Sequence, residues 1–251
     1  MFSFAIHDET KEVVFIARDR VGEKPLFYCA KDGELRFASE LKGLLVAPSF
    51  PHKIDYKSMD CYLSMGYIPG DMCILKGVNK LPPAHIMTFH YNTGHSEVSQ
   101  YWELPDIKNQ DKSTNEERLL NDLEILLEDS VRKQLLADVP VGVLLSGGID
   151  SSLMVALASR VSNNVKTFTV AFSKYGKYDE SPHAKAISEH FKTQHIELEV
   201  NDIDVKLLYK LAKQYDEPMS DSSMLPTYLV SNLVKKYCTV ALGGDGGDEL
   251  F

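Results

Sequence analysis

Nowhere in this 251-residue sequence is there an apolar run long enough to cross a membrane. A span needs about 20 apolar residues, and the stretch 139–145 is already broken by Pro140 and Gly142. Met1-Phe2-Ser3-Phe4-Ala5-Ile6 runs into His7-Asp8-Glu9 with no basic start, so no secretory signal is read here. Cysteine is scarce. The four residues at 29, 61, 73 and 238 form no CxxC pair, which excludes a disulfide framework or thiolate zinc site and fits a reduced, cytoplasmic setting. The eight histidines show no HxxxH or HExxH spacing, so none is assigned to a metal. Basic charge is in deficit, 27 residues against 36 acidic ones, for a net charge of −9. That balance disfavours bare nucleic acid and an anionic membrane face, both of which need a Lys/Arg-rich surface.

What is present, 44% hydrophobic and 25% charged residues, is the composition of a folded chain with one large domain or two smaller ones. Residues 2–6, 13–17, 26–28 and 35–38 are short apolar or alternating runs, read as strands, and Asp32-Gly33 is a tight-hairpin signal. A helix is expected over 55–65, with further strands at 86–90 and near Trp102. Residues 105–115 (PDIKNQDKSTN) hold one apolar side chain in eleven and read as a linker. Charge divides there: 11 basic and 13 acidic residues before 106, 16 and 23 from 106 on.

Beyond the linker the period changes. Capping boxes beginning at Ser113 and Thr114 precede a helix whose stripe of Leu119, Leu123, Leu126, Leu127, Val131 and Leu135 reads as a core face. Strands at 139–145, 166–172, 195–200 and 239–242 alternate with helices ending at Arg160, opening at Ser181-Pro182 with Ser181 as cap, and covering 203–215 and 225–237. That order implies a parallel sheet covered by helices on both faces.

Two loops at the carboxyl edge of that sheet combine glycines with carboxylates. In Ser146-Gly147-Gly148-Ile149-Asp150-Ser151-Ser152 the glycines let main-chain N–H groups approach a ligand, and the serines add hydroxyls at a helix start, where an anion is favoured. This describes a polyphosphate cradle, although the Gly-Lys-Ser/Thr ending of a Walker loop is missing. Asp150 suits magnesium, which takes one or two carboxylates plus phosphate oxygens. Gly243-Gly244-Asp245-Gly246-Gly247-Asp248-Glu249 lacks the tandem repeats or full ligand series of a calcium loop. A magnesium site shared by Asp150 and Asp248 is the better account.

These residues carry a resemblance. Residues 144–152 (LLSGGIDSS) resemble the pyrophosphate-releasing ATP loop of glutamine-dependent asparagine synthetases, and residues 244–251 (GDGGDELF) resemble that family's second motif. Asp216-Glu217-Pro218 with Asp221-Ser222-Ser223 resembles an intervening segment. Upstream, residues 17–28 (ARDRVGEKPLFY), 37–42 (FASELK) and 81–85 (LPPAH) are similar to the later part of the family's glutaminase domain. The resemblance implies a two-domain α+β/α/β chain. Residues 1–104 would be the β-rich C-terminal part of an N-terminal-nucleophile glutaminase, 105–115 the linker, and 116–251 a doubly wound parallel-sheet ATP-pyrophosphatase domain.

It also implies roles. Asp19 matches a carboxylate that holds the amino group of glutamine; Leu144 and Val170 match contacts to the adenosine of ATP. Ser146, Gly147, Gly148, Asp150, Ser151 and Ser152 would cradle pyrophosphate, and Asp150 and Asp248 would hold Mg²⁺. Gly243 and Gly244 match a Ser-Gly pair at the nucleotide, so Gly243 lacks a hydroxyl. Asp245 occupies the catalytic acidic position linked to acyl-adenylate formation. The implied activity is asparagine synthesis: ammonia from glutamine displaces AMP from an aspartyl-adenylate made with ATP. A homodimer is left open.

The family's glutaminase uses an N-terminal cysteine, whereas Phe2 follows Met1 here, and Cys29 reads as a core thiol. The chain is therefore expected to be partial at both ends, without glutaminase activity. Three other readings are weighed beside it: amidation of another carboxylate such as a sugar acid, a tRNA-modifying ATP-pyrophosphatase, and a non-catalytic nucleotide-binding fragment. The acidic balance and the glutaminase-like first half oppose the tRNA enzyme.

Overall fold

The computed structural model describes residues 1–47, 50, 52–105, 115–200 and 205–248. It divides into two compact units, Met1–Asn109 with Tyr209–Asp221, and Gln110–Leu208 with Ser222–Phe251. Among the described residues no helix is long and apolar enough to cross a membrane.

The first unit is built on antiparallel pairing. β1 (Ser3–Asp8) and β2 (Val13–Arg18) pair along their whole length. β3 (Phe27–Lys31) and β4 (Glu34–Ala38) form the expected hairpin, with Asp32 and Gly33 at φ 54° and 78°, as a two-residue turn between twisted strands requires. A five-residue helix α1 (Leu41–Leu45), too short to leave a periodic signal, follows. α2 (Tyr56–Met65) is capped by the Asp55 side chain, which accepts from Ser58 N at 2.9 Å, and ends on Gly66 at φ 81°. β5 (Asn79–Lys80), β6 (His85–His90) and β7 (His95–Gln100) complete two sheets, ordered β1-β2-β6-β7 and β4-β3-β5. The strand expected near Trp102 lies earlier, because β7 stops at Gln100; the Trp102 ring instead stacks under the Arg20 guanidinium.

The second unit alternates helix and strand. α3 (Glu116–Leu135) is capped by Asn115, whose side chain accepts from Glu117 N at 2.9 Å. Ser113, Thr114 and most of the expected linker fall outside the described residues. β8 (Val141–Leu144), α4 (Ile149–Val161), β9 (Lys166–Ala171), α5 (Ser181–Phe191) and β10 (Gln194–Glu199) follow; most of α6 (Lys206–Gln214) belongs to the first unit, and α7 (Met224–Val234) and β11 (Val240–Leu242) return to the second. The four strands pair in parallel in the order β10-β9-β8-β11.

Two local expectations are corrected. The stripe on α3 is buried only in its later turns: Val131 is in the core with Leu127 and Leu135 against it, whereas Leu119 and Leu126 are exposed. Arg160, in the last turn of α4, pairs with Glu124 and Glu128, so Leu119 precedes the turns of α3 that meet α4, while Leu126 lies among those turns and is still exposed. The helix at Ser181-Pro182 is capped by Glu180 instead of Ser181, because Asp179 takes the Phe172 and Ser181 N–H groups and turns the chain one residue early.

Tyr209–Asp221 packs with the first unit for an identifiable reason. The Asp216 carboxylate accepts from the backbone of Leu41 (2.8 Å) and Lys42 (3.2 Å), capping α1. Glu217 accepts from Ile74 N at 2.8 Å, and Ser220 N donates to Gly66 O at 2.8 Å.

Candidate functional site

In the parallel sheet, β8, β9 and β10 are laid down in one direction and β11 is added on the other side of β8. The order therefore reverses between β8 and β11, the place where such sheets open a crevice beyond their carboxyl ends. A cleft of roughly 610 Å³ lies there.

The loop after β8 forms one wall. Gly148 caps α4, and the Ser146 Oγ accepts from Gly148 N at 3.3 Å. The Ser151 hydroxyl lies 3.0 Å from Ser146 Oγ and 3.2 Å from Gly148 O, so the serines tie the loop across the helix start. The first N–H groups of a helix have no partner within it, so this helix start is suited to an anion. Gly147, at φ 89°, has no room for a side chain: a Cβ there would come within 2.6 Å of His183 Cβ and 2.7 Å of Ala184 N on α5.

The loop after β11 forms the facing wall and touches the first. The α-carbon of Gly244 rests on α4, where a Cβ would meet Ser151 N at 2.6 Å. Gly247 rests on the Asp150 carboxylate, with a Cβ position 2.6 Å from Oδ1. These two glycines bring Asp245 and Asp248 to the cleft that Asp150 also lines.

Most expected site residues meet in this cleft: Leu144, Ser146, Gly148, Asp150, Ser151 and Val170, together with Gly243, Gly244, Asp245 and Asp248. Gly147 and Ser152 are not brought to its lining: Gly147 packs against α5, and the Ser152 N–H donates to Gly148 O at 3.0 Å in the first turn of α4. The wall opposite the loops was not foreseen. It includes Thr169 in β9, Phe172 just after that strand, Glu180 at the cap of α5, and Pro226, Thr227 and Val230 on α7. Only Glu180 had a signal, since it directly precedes the Ser181-Pro182 helix start.

Charge in the cleft has one sign. Asp150, Glu180, Asp245 and Asp248 line it, and no Lys or Arg does among the described residues. No group of three or more His, Cys, Asp or Glu is clustered to hold a metal among those residues. Two carboxylates facing one anion cradle still suit Mg²⁺, which takes its other ligands from phosphate and water.

Asp19 belongs to the first unit, where its carboxylate is engaged by backbone N–H groups. Its side chain is 3% exposed, and its carboxylate accepts from Lys24 N (2.9 Å), Glu23 N (3.0 Å) and Phe2 N (3.2 Å). Burial opposes the charged form, but these backbone donors outweigh it and hold the pKa below the usual Asp value. The side chain anchors the turn after β2.

Residues 122–251 match the family model described as Asparagine synthase, and residues 1–102 match the one described as Glutamine amidotransferase domain. The chain belongs to the asparagine synthase family. The Methanocaldococcus jannaschii protein named "Putative asparagine synthetase (glutamine-hydrolyzing) 2" is 38% identical over 254 residues, covering all of this chain and 49% of that protein. Asparagine synthetase (glutamine-hydrolyzing) 1 of Bacillus subtilis is 33% identical over 252 residues, covering all of this chain and 39% of that protein. The chain thus spans about half the length, or less, of the curated relatives it matches. Within the asparagine synthase match lie both glycine-carboxylate loops and the whole parallel sheet.

Proposed function

We propose that this chain supplies the nucleotide site of a glutamine-dependent asparagine synthetase, in which ATP activates the aspartate carboxylate as an acyl-adenylate and ammonia displaces AMP. The observation that supports this most is the contact of Gly244 and Gly247 with α4, which turns two separate loops into one anion-facing cleft. In this reading residues 116–251 form a doubly wound ATP-pyrophosphatase domain and residues 1–104 the later part of a glutaminase domain.

Leu144 and Val170 would flank adenosine. Ser146, Gly148 and Ser151 would hold the pyrophosphate portion through hydroxyl and backbone N–H groups, with Gly147 and Ser152 supporting that loop. Asp150 and Asp248 would hold Mg²⁺, which neutralises the leaving pyrophosphate when bound. Asp245 would face the aspartate being activated. A carboxylate is a poor electrophile until its oxygen becomes a good leaving group, and adenylation supplies that group.

Titration calorimetry with ATP and Mg²⁺ tests the reading. The wild-type chain should bind saturably, and Asp150→Ala should weaken binding at least tenfold with an unchanged circular dichroism spectrum. Equal affinity in the two proteins would remove Asp150 from the site, and no binding by wild type would sink the proposal.

A further inference from the structure

The first unit holds a second place where charge is out of balance, with the opposite sign. Ile54 and Leu75 form an isolated antiparallel bridge, supported by Lys76 N→Lys53 O and Asp55 N→Ile74 O, each 2.8 Å. That register sets Lys53 and Lys76 opposite each other on one face. Directly opposed residues in an antiparallel pair have Cβ atoms about 5 Å apart, and like charges so placed oppose the pairing. Both side chains are exposed, and among the described residues neither ammonium group has a carboxylate within ion-pair distance. Asp55, whose field reaches Lys76, has its carboxylate engaged by the Ser58 N–H and hydroxyl, each at 2.9 Å.

The same two lysines line a cavity of roughly 690 Å³ with the β3–β4 hairpin. The hairpin contributes Lys31 and Arg36, so four of the eleven basic residues before position 106 converge on one hollow of an acidic chain. Its acids are already matched within the hairpin, Asp32 with Lys31 (3.7 Å) and Glu34 with Arg36 (2.7 Å). Lys53 and Lys76 are left as an excess of two positive charges. Lys57 lines the adjoining hollow with them.

We propose that this cavity binds a phosphate dianion, free or carried by a small molecule, between the opposed Lys53 and Lys76. Phosphate brings nearly two charges in one compact group near neutral pH, where a single carboxylate brings one. An ion between the ammonium groups would turn the repulsion across the bridge into attraction to a shared partner. The acidic cleft of the second unit has no part in this inference.

Inorganic phosphate titrated into the 251-residue chain, with a chelator present and ionic strength held with sodium chloride, is the probe. The wild type should bind one equivalent. Lys53→Glu should lose at least tenfold in affinity, because the new carboxylate occupies Lys76. Without phosphate, Lys53→Glu should melt at or above the wild-type temperature, since it replaces a like-charge pair with an opposite-charge pair at exposed positions. Lys53 and Lys76 are no part of the proposed ATP cleft, so loss of phosphate binding in Lys53→Glu assigns the ion to this cavity and not to that cleft. Glycerol 3-phosphate, which has no base for the proposed ATP cleft, distinguishes the sources: tighter binding than phosphate identifies a phosphorylated ligand, and equal or weaker binding identifies the free ion. No saturable phosphate binding, or equal binding by Lys53→Glu, overturns the proposal.

Discussion

Glu217 places one carboxylate oxygen 2.6 Å from the Lys80 ammonium group and gives the other to the Ile74 N–H at 2.8 Å. Both side chains are about one-sixth exposed, so the pair is shielded from water on most sides. Glu217→Ala would leave Ile74 N–H without its acceptor and Lys80 with only the Ile68 carbonyl. Loss of a part-buried charged partner of this kind costs about 1–3 kcal/mol. Urea titration of the two proteins should show that difference; a midpoint unchanged by the substitution would show that the contact contributes nothing.

Cys73 lies beside this pair. Burial pushes its thiol up to about 12; the Leu75 N–H pulls against that rise, and the nearby Glu217 carboxylate adds a smaller push. A thiol that basic and only 2% exposed holds almost no thiolate near neutral pH. Iodoacetamide at pH 7.5 should label the half-buried Cys61 and Cys29 first, and Cys73 and Cys238 only after unfolding. Peptide mass mapping would show the order, and early labelling of Cys73 would contradict it.

Asp19 gives the first unit a pH dependence. Its folded pKa is lowered, so the unfolded chain binds its proton more readily than the folded one. The stabilisation is complete above the unfolded value, about 3.9, and fades as pH falls through the lower folded value. Asp19→Asn removes the titration. The melting temperature of wild type should therefore fall faster than that of Asp19→Asn below about pH 4. Parallel curves would place the acid sensitivity elsewhere.

Gly247 and Gly243 test the acidic cleft without touching its acids. A methyl at Gly247 would press on the Asp150 carboxylate, 2.6 Å from Oδ1, and should reduce Mg-ATP affinity at least tenfold. The Cβ position of Gly243 is 2.8 Å from Asp245 Oδ2, so the Asp245 side chain uses the space that a serine would fill. Gly243→Ser should displace the Asp245 carboxylate and leave nucleotide affinity within about threefold, since a threefold change is worth only ~0.7 kcal/mol. A large loss of affinity would mean that Gly243, and not Asp245, governs the nucleotide.

The cleft carries four carboxylates and no cation among its described lining residues. Polyphosphate entering alone would meet like charge on the far wall, so ATP affinity should rise at least tenfold on adding Mg²⁺. Competition with a fluorescent nucleotide, with and without EDTA, measures it. An EDTA-insensitive affinity would sink the expectation.

How much of this was readable beforehand depended on where the determinants lie along the chain. The β3–β4 hairpin was legible because Asp32 and Gly33 are adjacent and only such residues accept two successive positive φ values. The first cleft loop was legible for the same local reason, its serines and glycines falling within seven residues. The opposite wall was not, because Thr227 and Val230 reach the cleft through the packing of α7 and carry no motif. The hold of Asp19 on the turn after β2 was not legible, because a motif match reports which residue is present, not which backbone groups its oxygens accept from. The exposed start of α3 escaped notice because amphipathic spacing cannot reveal where a partner helix ends.

The cap of α1 has a consequence in time. Its donor at Leu41 and its acceptor at Asp216 are 175 residues apart, so on a ribosome the helix is made long before the side chain that completes it. At 5–20 residues per second that interval is roughly 9–35 s. Throughout it the N–H groups of Leu41, Lys42 and Ile74 must be satisfied by water. The first unit is therefore synthesised first but finished late, and a nascent chain stalled before Gln214 should expose this face to protease or chaperone.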